Sequence, residues 1–178
     1  MRDETLQRPL TVEQHDVVYT DRNQIIRRYV AQFDGFSKEY FVSDHGRRAA
    51  VLVVRQDEVL FVRQYRLLIN GISLEIPGGR VDASESSEQA AARECMEETG
   101  VRCANLKPLV SFHPSLDIWD NFTQVFLATE TEETDARSAE RVWLPLGKCM
   151  SKISAQEIVD SLSLIALMAY RSMADAID

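Results

Sequence analysis

Between Gly79 and Val101 the chain sets a glycine turn directly before a segment dense in carboxylates: Glu85, then Arg93-Glu94, then Glu97-Glu98 and Gly100. On a helix, Glu94, Glu97 and Glu98 project within a sector about 100° wide. Three carboxylates on one face repel each other, which is tolerable when water surrounds them or when a hard cation binds them through oxygen. A solvated acidic face is the ordinary explanation of three such glutamates alone. The adjoining Pro77-Gly78-Gly79 loop and Arg93 shift the balance towards a metal and phosphate site, because glycine lets the backbone come close to both. Divalent ions held there would neutralise a pyrophosphate, lower the pKa of a bound water and stabilise charge on the leaving phosphate.

Written as a pattern, the stretch is Gly, five residues, Glu, seven residues, then Arg-Glu-x-x-Glu-Glu-x-Gly and an apolar residue. It resembles the signature box of the Nudix hydrolases, with every charged and glycine position filled. Seven fixed positions, each of a type found at about one in fifteen residues, coincide by chance about once in 10⁸ windows. The departure is Cys95, where the family usually has Leu, Ala or a similar residue, and a free Cys is itself a small hydrophobe.

The resemblance implies an α/β (α+β) Nudix fold: a mixed β-sheet sandwiched between helices, with a small N-terminal antiparallel sheet. It implies Gly78, through its carbonyl, and Glu94, Glu97 and Glu98 as metal ligands, with Glu97 also in the catalytic set. Magnesium is the implied cofactor, manganese its substitute. Arg93 is implied to orient carboxylates by bidentate bonds, and Glu85 to fix the junction of loop and helix in the same way. The implied reaction hydrolyses a P–O–P bond in a nucleoside diphosphate joined to another moiety.

The features flanking the box look most like the ADP-ribose pyrophosphatase branch: Gln64-Tyr65-Arg66, Glu75-Ile76-Pro77-Gly78-Gly79, Pro114 and the segment from Asp160 to Ala169. That likeness implies a substrate-binding set of Arg66, Glu75 and Gly79, with Arg63 a weaker phosphate contact. It also implies a late-loop glutamate as base or metal partner, for which Glu133 and Glu140 are the candidates. Where the branch often shows Pro-Ser-Pro-Gly, this chain has Pro114-Ser115-Leu116-Asp117 before Ile118-Trp119-Asp120. The expected substrate is ADP-ribose, giving AMP and ribose 5-phosphate; GDP-mannose or another nucleotide sugar is the alternative, as is a non-catalytic Nudix-fold sensor of a nucleotide metabolite. Trp119, and Tyr29, Phe33, Phe36 and Tyr40 of the N-terminal sheet, are rings that either stack on substrate or simply pack. In the family that sheet often exchanges across a dimer, so a homodimer is expected.

The whole chain bounds these readings. Its 178 residues suit one principal core with a modest extra element. A formal charge of −8 opposes binding to nucleic acid or anionic membrane and makes RNA decapping a poor alternative. No apolar run is long enough to span a bilayer and the first residues lack a secretion signal, so a cytoplasmic protein is expected. Cys95, Cys103 and Cys149 form no Cys-x-x-Cys pair and read as buried thiols. The spacing of His15, His45 and His113 suggests no metal triad.

The elements follow from periodicity and turn residues. Strands are expected at Val12 to Tyr19, Ile25 to Phe33 and Lys38 to Ser43, with Asp34-Gly35 a hairpin turn. Ala49 to Arg55 and Val59 to Arg63, around Gln56-Asp57-Glu58, read as central strands. A helix is expected after a capping box at Asp82-Ala-Ser-Glu85 and ends at Gly100. Leu106 to Phe112, Phe122 to Ala128 and Val142 to Leu144 read as further strands. Ile158, Leu162, Ile165, Ala169 and Met173 mark the core stripe of a last helix, capped by Ser154 or Asp160. The chain divides into an N-terminal sheet region, 1–46, expected to dimerise and contact the base, and a hydrolase domain, 47–178.

Overall fold

The computed structural model describes residues 8–134 and 140–175, the side chains of residues 174 and 175 apart. In chain order the elements are Thr11–Thr20 (β1), Ile25–Phe33 (β2), Phe36–Asp44 (β3), Arg48–Arg55 (β4), Glu58–Arg66 (β5), Gly71–Glu75 (β6), Gly78–Arg80 (β7), Ser87–Thr99 (α1), Val101–Ala104 (β8) and Lys107–Phe112 (β9). Then come Trp119–Asp120 (β10), Thr123–Ala128 (β11), Glu130–Glu133 (β12), Arg141–Pro145 (β13), Leu146–Ser154 (α2) and Ser161–Asp175 (α3). They form two compact units, one of residues 8–46 with His113–Phe122, the other of Arg47–Phe112 and the chain from Thr123 on. None of the described helices is long and apolar enough to cross a membrane.

The first unit is a sheet in the order β1-β2-β3-β10. β2 and β3 form the expected hairpin, with Gly35 at φ 94° in the turn and Phe33 stacked on Phe36, ring centroids 4.7 Å apart. β1 is exposed along its whole length and forms one edge of the sheet. Tyr29, Phe33, Tyr40 and Trp119 line an open cavity of about 720 Å³ in this unit, where Lys38 Nζ lies 4.6 Å from the centre of the Tyr40 ring.

The second unit is a mixed sheet in the order β13-β5-β4-β11-β9, with β6 added on β5 and β7 on β4; β11 runs parallel to β4 and the other pairs are antiparallel. β4 is buried on both faces, which is why its sequence is continuously apolar. Ala49, Val51 and Val53 face α1, packing with Ala90, Ala91 and Cys95. Ala50, Leu52 and Val54 face the other side, packing with Leu146 and Cys149 of α2, Ala166 and Leu167 of α3, and Ile158. The expected arrangement, a mixed sheet between helices, is the one observed.

Three local expectations are corrected. Glu58 belongs to β5 rather than to the turn, which is made by Gln56 and Asp57, both at positive φ. The helix is capped by Ser86, whose side chain accepts from the Gln89 N–H while Gln89 reaches back to the Ser86 N–H; the box lies four residues later than expected. Of the expected stripe, Ile158 is buried ahead of the helix and Leu162 packs against the core, but the fully covered positions of α3 are Ser163, Ala166 and Leu167, and Met173 is exposed. Asp160, not Ser154, caps α3, its carboxylate accepting from the Ser163 N–H at 2.9 Å.

Candidate active site

β7 and α1 build the site together. β7 pairs with β4, Gly78 opposite Ala50 and Gly79 opposite Ala49, so a glycine strand lies on the two smallest residues of the central strand. A Cβ on Gly78 would fall 2.5 Å from the Ala50 Cβ and 2.7 Å from the Ala49 carbonyl oxygen. A Cβ on Gly79 would overlap the carboxyl group of Glu94, 2.6 Å from its Oε2. Gly78 is therefore required by the close approach of β4, while Gly79 leaves the space that the Glu94 carboxyl occupies. α1 follows from its Ser86 cap and small residues, and it stops at Gly100, whose φ of 70° and N–H bond to the Met96 carbonyl make a left-handed end.

Arg93 organises the acidic side of this helix. It grips Glu85 with Nε (3.1 Å) and Nη2 (2.7 Å), donates through Nη1 to Glu94 (2.9 Å) and Glu97 (3.2 Å), and reaches the Arg80 carbonyl at 3.1 Å. The bonds from Arg93 hold the Glu85 carboxyl below its ordinary range, and those to Glu85 and Glu94 raise Arg93 further still. One guanidinium thus fixes the loop before the helix and two carboxylates on it. Arg93→Lys keeps the charge but not the fork. It is expected to lower kcat about 10- to 100-fold with an unchanged circular dichroism spectrum.

Glu98 is held differently. Its two oxygens accept from the Gln64 side-chain amide at 2.8 Å and the Gly78 N–H at 3.1 Å. Burial pushes its carboxyl above the ordinary range against those two bonds, and the nearby charges of Glu94 and Glu75 push the same way. Glu94, Glu97 and Glu98 with the Gly78 backbone form an all-oxygen donor set of the kind hard divalent cations take. A desolvated carboxylate among like charges is stabilised by such a cation, so the residues fit one. Among the described residues no three acidic, His or Cys side chains already converge on a single point, Glu94 and Glu97 being gathered on Arg93.

Gln64 has no assigned role in the sequence reading, although the signal was present: Gln64 and Arg66 are polar residues two apart at the end of an apolar strand, on one face. Arg66 donates through Nε (2.7 Å) and Nη2 to the two oxygens of Glu75. This pairing raises the Arg66 pKa, and the charges of Asp160 and Glu98 add to it. Half of the Arg66 side chain remains exposed while Glu75 is largely buried. The loop after Glu75 is tied to α3, where Ser163 accepts from the Ile76 N–H at 2.9 Å and donates to Asp160 at 2.8 Å.

The other candidates are more scattered. Glu133 lies between Arg55 (2.9 Å) and Arg141 (2.7 Å), which hold its carboxyl below the ordinary range. Its partners are these arginines rather than any group of the α1 cluster. Glu140, just ahead of β13, accepts the Arg63 N–H on its backbone carbonyl at 2.8 Å, beside Gln64 on β5. The rest of the acidic loop, residues 135–139, lies outside the described residues. Trp119 stands edge-on to His45, centroids 6.0 Å apart, and is 46% exposed.

Known proteins share sequence and fold with this chain. The sequence profile of the NUDIX domain matches residues 44–161. A CMP-5'-(N-acetyl-N-hydroxy-3-aminopropyl)phosphonate hydrolase of Streptomyces rubellomurinus is 32% identical over 147 residues, 76% of this chain and 70% of that protein. An ADP-ribose pyrophosphatase of Bacillus subtilis is 26% identical over 138 residues, 74% of this chain and 75% of the relative. The fold is shared with a crystal structure of an ADP compounds hydrolase, TM-score 0.80 at 20% identity over 96% of each chain.

Proposed function

The chain belongs to the Nudix hydrolase family, and from that premise we propose that it cleaves the pyrophosphate bond of a nucleoside diphosphate linked to a sugar, ADP-ribose above all, to AMP and ribose 5-phosphate. The observation that carries this reading is the union, at one end of β5, of an exposed guanidinium and a desolvated carboxylate. Arg66 is fixed by Glu75 on one edge and half exposed, which suits it to a phosphate oxygen. Two residues away, Gln64 holds Glu98. A bound magnesium ion would neutralise the diphosphate and acidify the attacking water. Glu94, Glu97, Glu98 and the Gly78 backbone would hold it, and Arg93 keeps the first two in place.

Glu133 is a poor base, because a carboxylate pinned by two arginines accepts a proton poorly; Glu140, whose backbone meets β5 at Arg63 beside Gln64, is the other candidate for a base or further metal partner. The name of the Bacillus subtilis relative supports ADP-ribose; that of the Streptomyces relative supports a cytidine nucleotide as a second reading. Comparison of kcat/KM for ADP-ribose, GDP-mannose and a CMP-linked diphosphate ester decides between them. A preference of about tenfold or more for ADP-ribose is expected, and the opposite order would displace it.

We also propose that the first unit forms a homodimer through its sheet. The ten-residue strand β1 offers an exposed edge with Val12, Val17, Val18 and Tyr19 uncovered, the kind of edge that pairs with another chain. Light scattering at micromolar concentration is expected to give about twice the chain mass of 20.2 kDa. A monomeric mass would refute the dimer.

A further inference from the structure

Cys95 stands in α1 between Glu94 and Glu97, wholly buried, and its sulfur accepts the thiol hydrogen of Cys103 on β8 at 3.5 Å. Cys103 is only partly buried, and it borders an open cavity of about 530 Å³ together with Gln89 and Ala92 of α1 and with Leu106. A small oxidant can therefore reach one sulfur of the pair and not the other. A disulfide needs its sulfurs about 2.05 Å apart, so bridging would draw these two together by about 1.5 Å. Cys149 packs in the apolar layer on the opposite face of the sheet and cannot substitute for either thiol.

We propose that Cys95 and Cys103 form a reversible oxidation site, bridged by a peroxide into an intramolecular disulfide that lowers turnover by displacing the carboxylates of α1. Cys103 attacks one peroxide oxygen, the O–O bond breaks, water leaves and a sulfenic acid remains. The Cys95 sulfur then attacks the Cys103 sulfur, the S–O bond breaks and a second water leaves with the remaining thiol proton. The pair loses two electrons and the peroxide gains them. The hydrogen bond to Cys95 and burial both push the Cys103 thiol up, so the pair resists stoichiometric peroxide and yields to excess. The effect on turnover rests on α1 being the catalytic helix; the bridge itself does not.

The test treats the full chain with millimolar hydrogen peroxide, then maps peptides and measures hydrolysis. A peptide linking Cys95 to Cys103 is expected, with Cys149 still alkylatable. A parallel loss of turnover of about 10- to 100-fold is expected, since a shift of 1 Å at a catalytic group costs about that much. Dithiothreitol should restore turnover. Cys103→Ser, or Cys103→Ala should the serine variant fold poorly, should keep basal turnover and resist peroxide. Recovery of both thiols unbridged, of Cys103 as a sulfinic acid, or of a bridged protein with unchanged turnover would each overturn the proposal. Should no nucleotide be hydrolysed at all, the peptide map still decides the bridge, so the two failures are told apart.

Discussion

Glu98→Gln is expected to lower turnover on the order of 10³-fold while the protein melts at or above the wild-type temperature. The two effects separate because the carboxylate is costly to the fold. Burial and the charges of Glu94 and Glu75 already push its carboxyl up, so a neutral isostere removes a desolvation penalty. The amide also keeps both partners: its oxygen accepts from the Gly78 N–H, and its nitrogen donates to a flipped Gln64 side chain. What it loses is the negative charge a cation needs. Gains in stability on neutralising a functional carboxylate are the expected signature of a strained active site. Equal losses of stability and activity would instead make Glu98 a structural residue.

Alanine at the two adjacent glycines is expected to separate fold from function. At Gly79 the atoms nearest the new methyl group are the carboxyl of Glu94, the far end of a flexible side chain that can swing aside. The protein should melt within a few degrees of wild type, yet a displaced catalytic carboxylate costs about 10²-fold in turnover. At Gly78 the methyl group meets the Ala50 Cβ and the Ala49 carbonyl of β4, a strand buried on both faces with nowhere to move. Overpacking of that kind costs about 1–3 kcal/mol, and melting falls by about 2–4 °C for each. Thermal melts and initial rates on the two variants check this; a Gly79→Ala protein with full activity would remove Glu94 from the site.

What the sequence made legible was wherever local chemistry and tertiary structure agree. α1 is one such place: its small buried residues, the Glu94, Glu97, Glu98 face and the Gly100 stop can all be read from spacing. Its start was harder, because two capping signatures overlap. Asp82 and Glu85 make only half of a box, Glu85 accepting the Asp82 N–H at 2.9 Å while Arg93 takes its other contacts. Ser86 and Gln89 make the whole of one. In α3, reading only apolar residues skips Ser163, a polar side chain buried because Asp160 and the Ile76 N–H satisfy it. α2 went unanticipated, a nine-residue helix with Gly147 in its first turn and Leu146 and Cys149 its only fully buried residues. β12 lacks apolar residues and β8 is only four residues long, with Val101 and Cys103 turned to the core; the two strands pair, Glu130 opposite Ala104 through Glu133 opposite Val101.

The same limit governs the site. That Glu94, Glu97 and Glu98 share a face follows from helical periodicity, but that Gln64 reaches Glu98 and that Glu75 holds Arg66 depends on how β5, β6 and α1 meet. Strand alternation gives the face and not the partner. Glu133 shows the cost: an acidic residue in a late loop region has the composition of a base, and only its two arginine neighbours reveal a structural ion pair.

The α1 carboxylates would support divalent-metal-dependent hydrolysis of a P–O–P bond. Its most direct test is a magnesium titration of ADP-ribose turnover by wild-type protein, starting from chelated enzyme, with products resolved by chromatography. No cleavage is expected in chelator, with a saturable rise on adding magnesium and AMP and ribose 5-phosphate formed in equal amounts. Cleavage indifferent to chelator, or no cleavage of any nucleoside diphosphate compound at saturating magnesium, would contradict it.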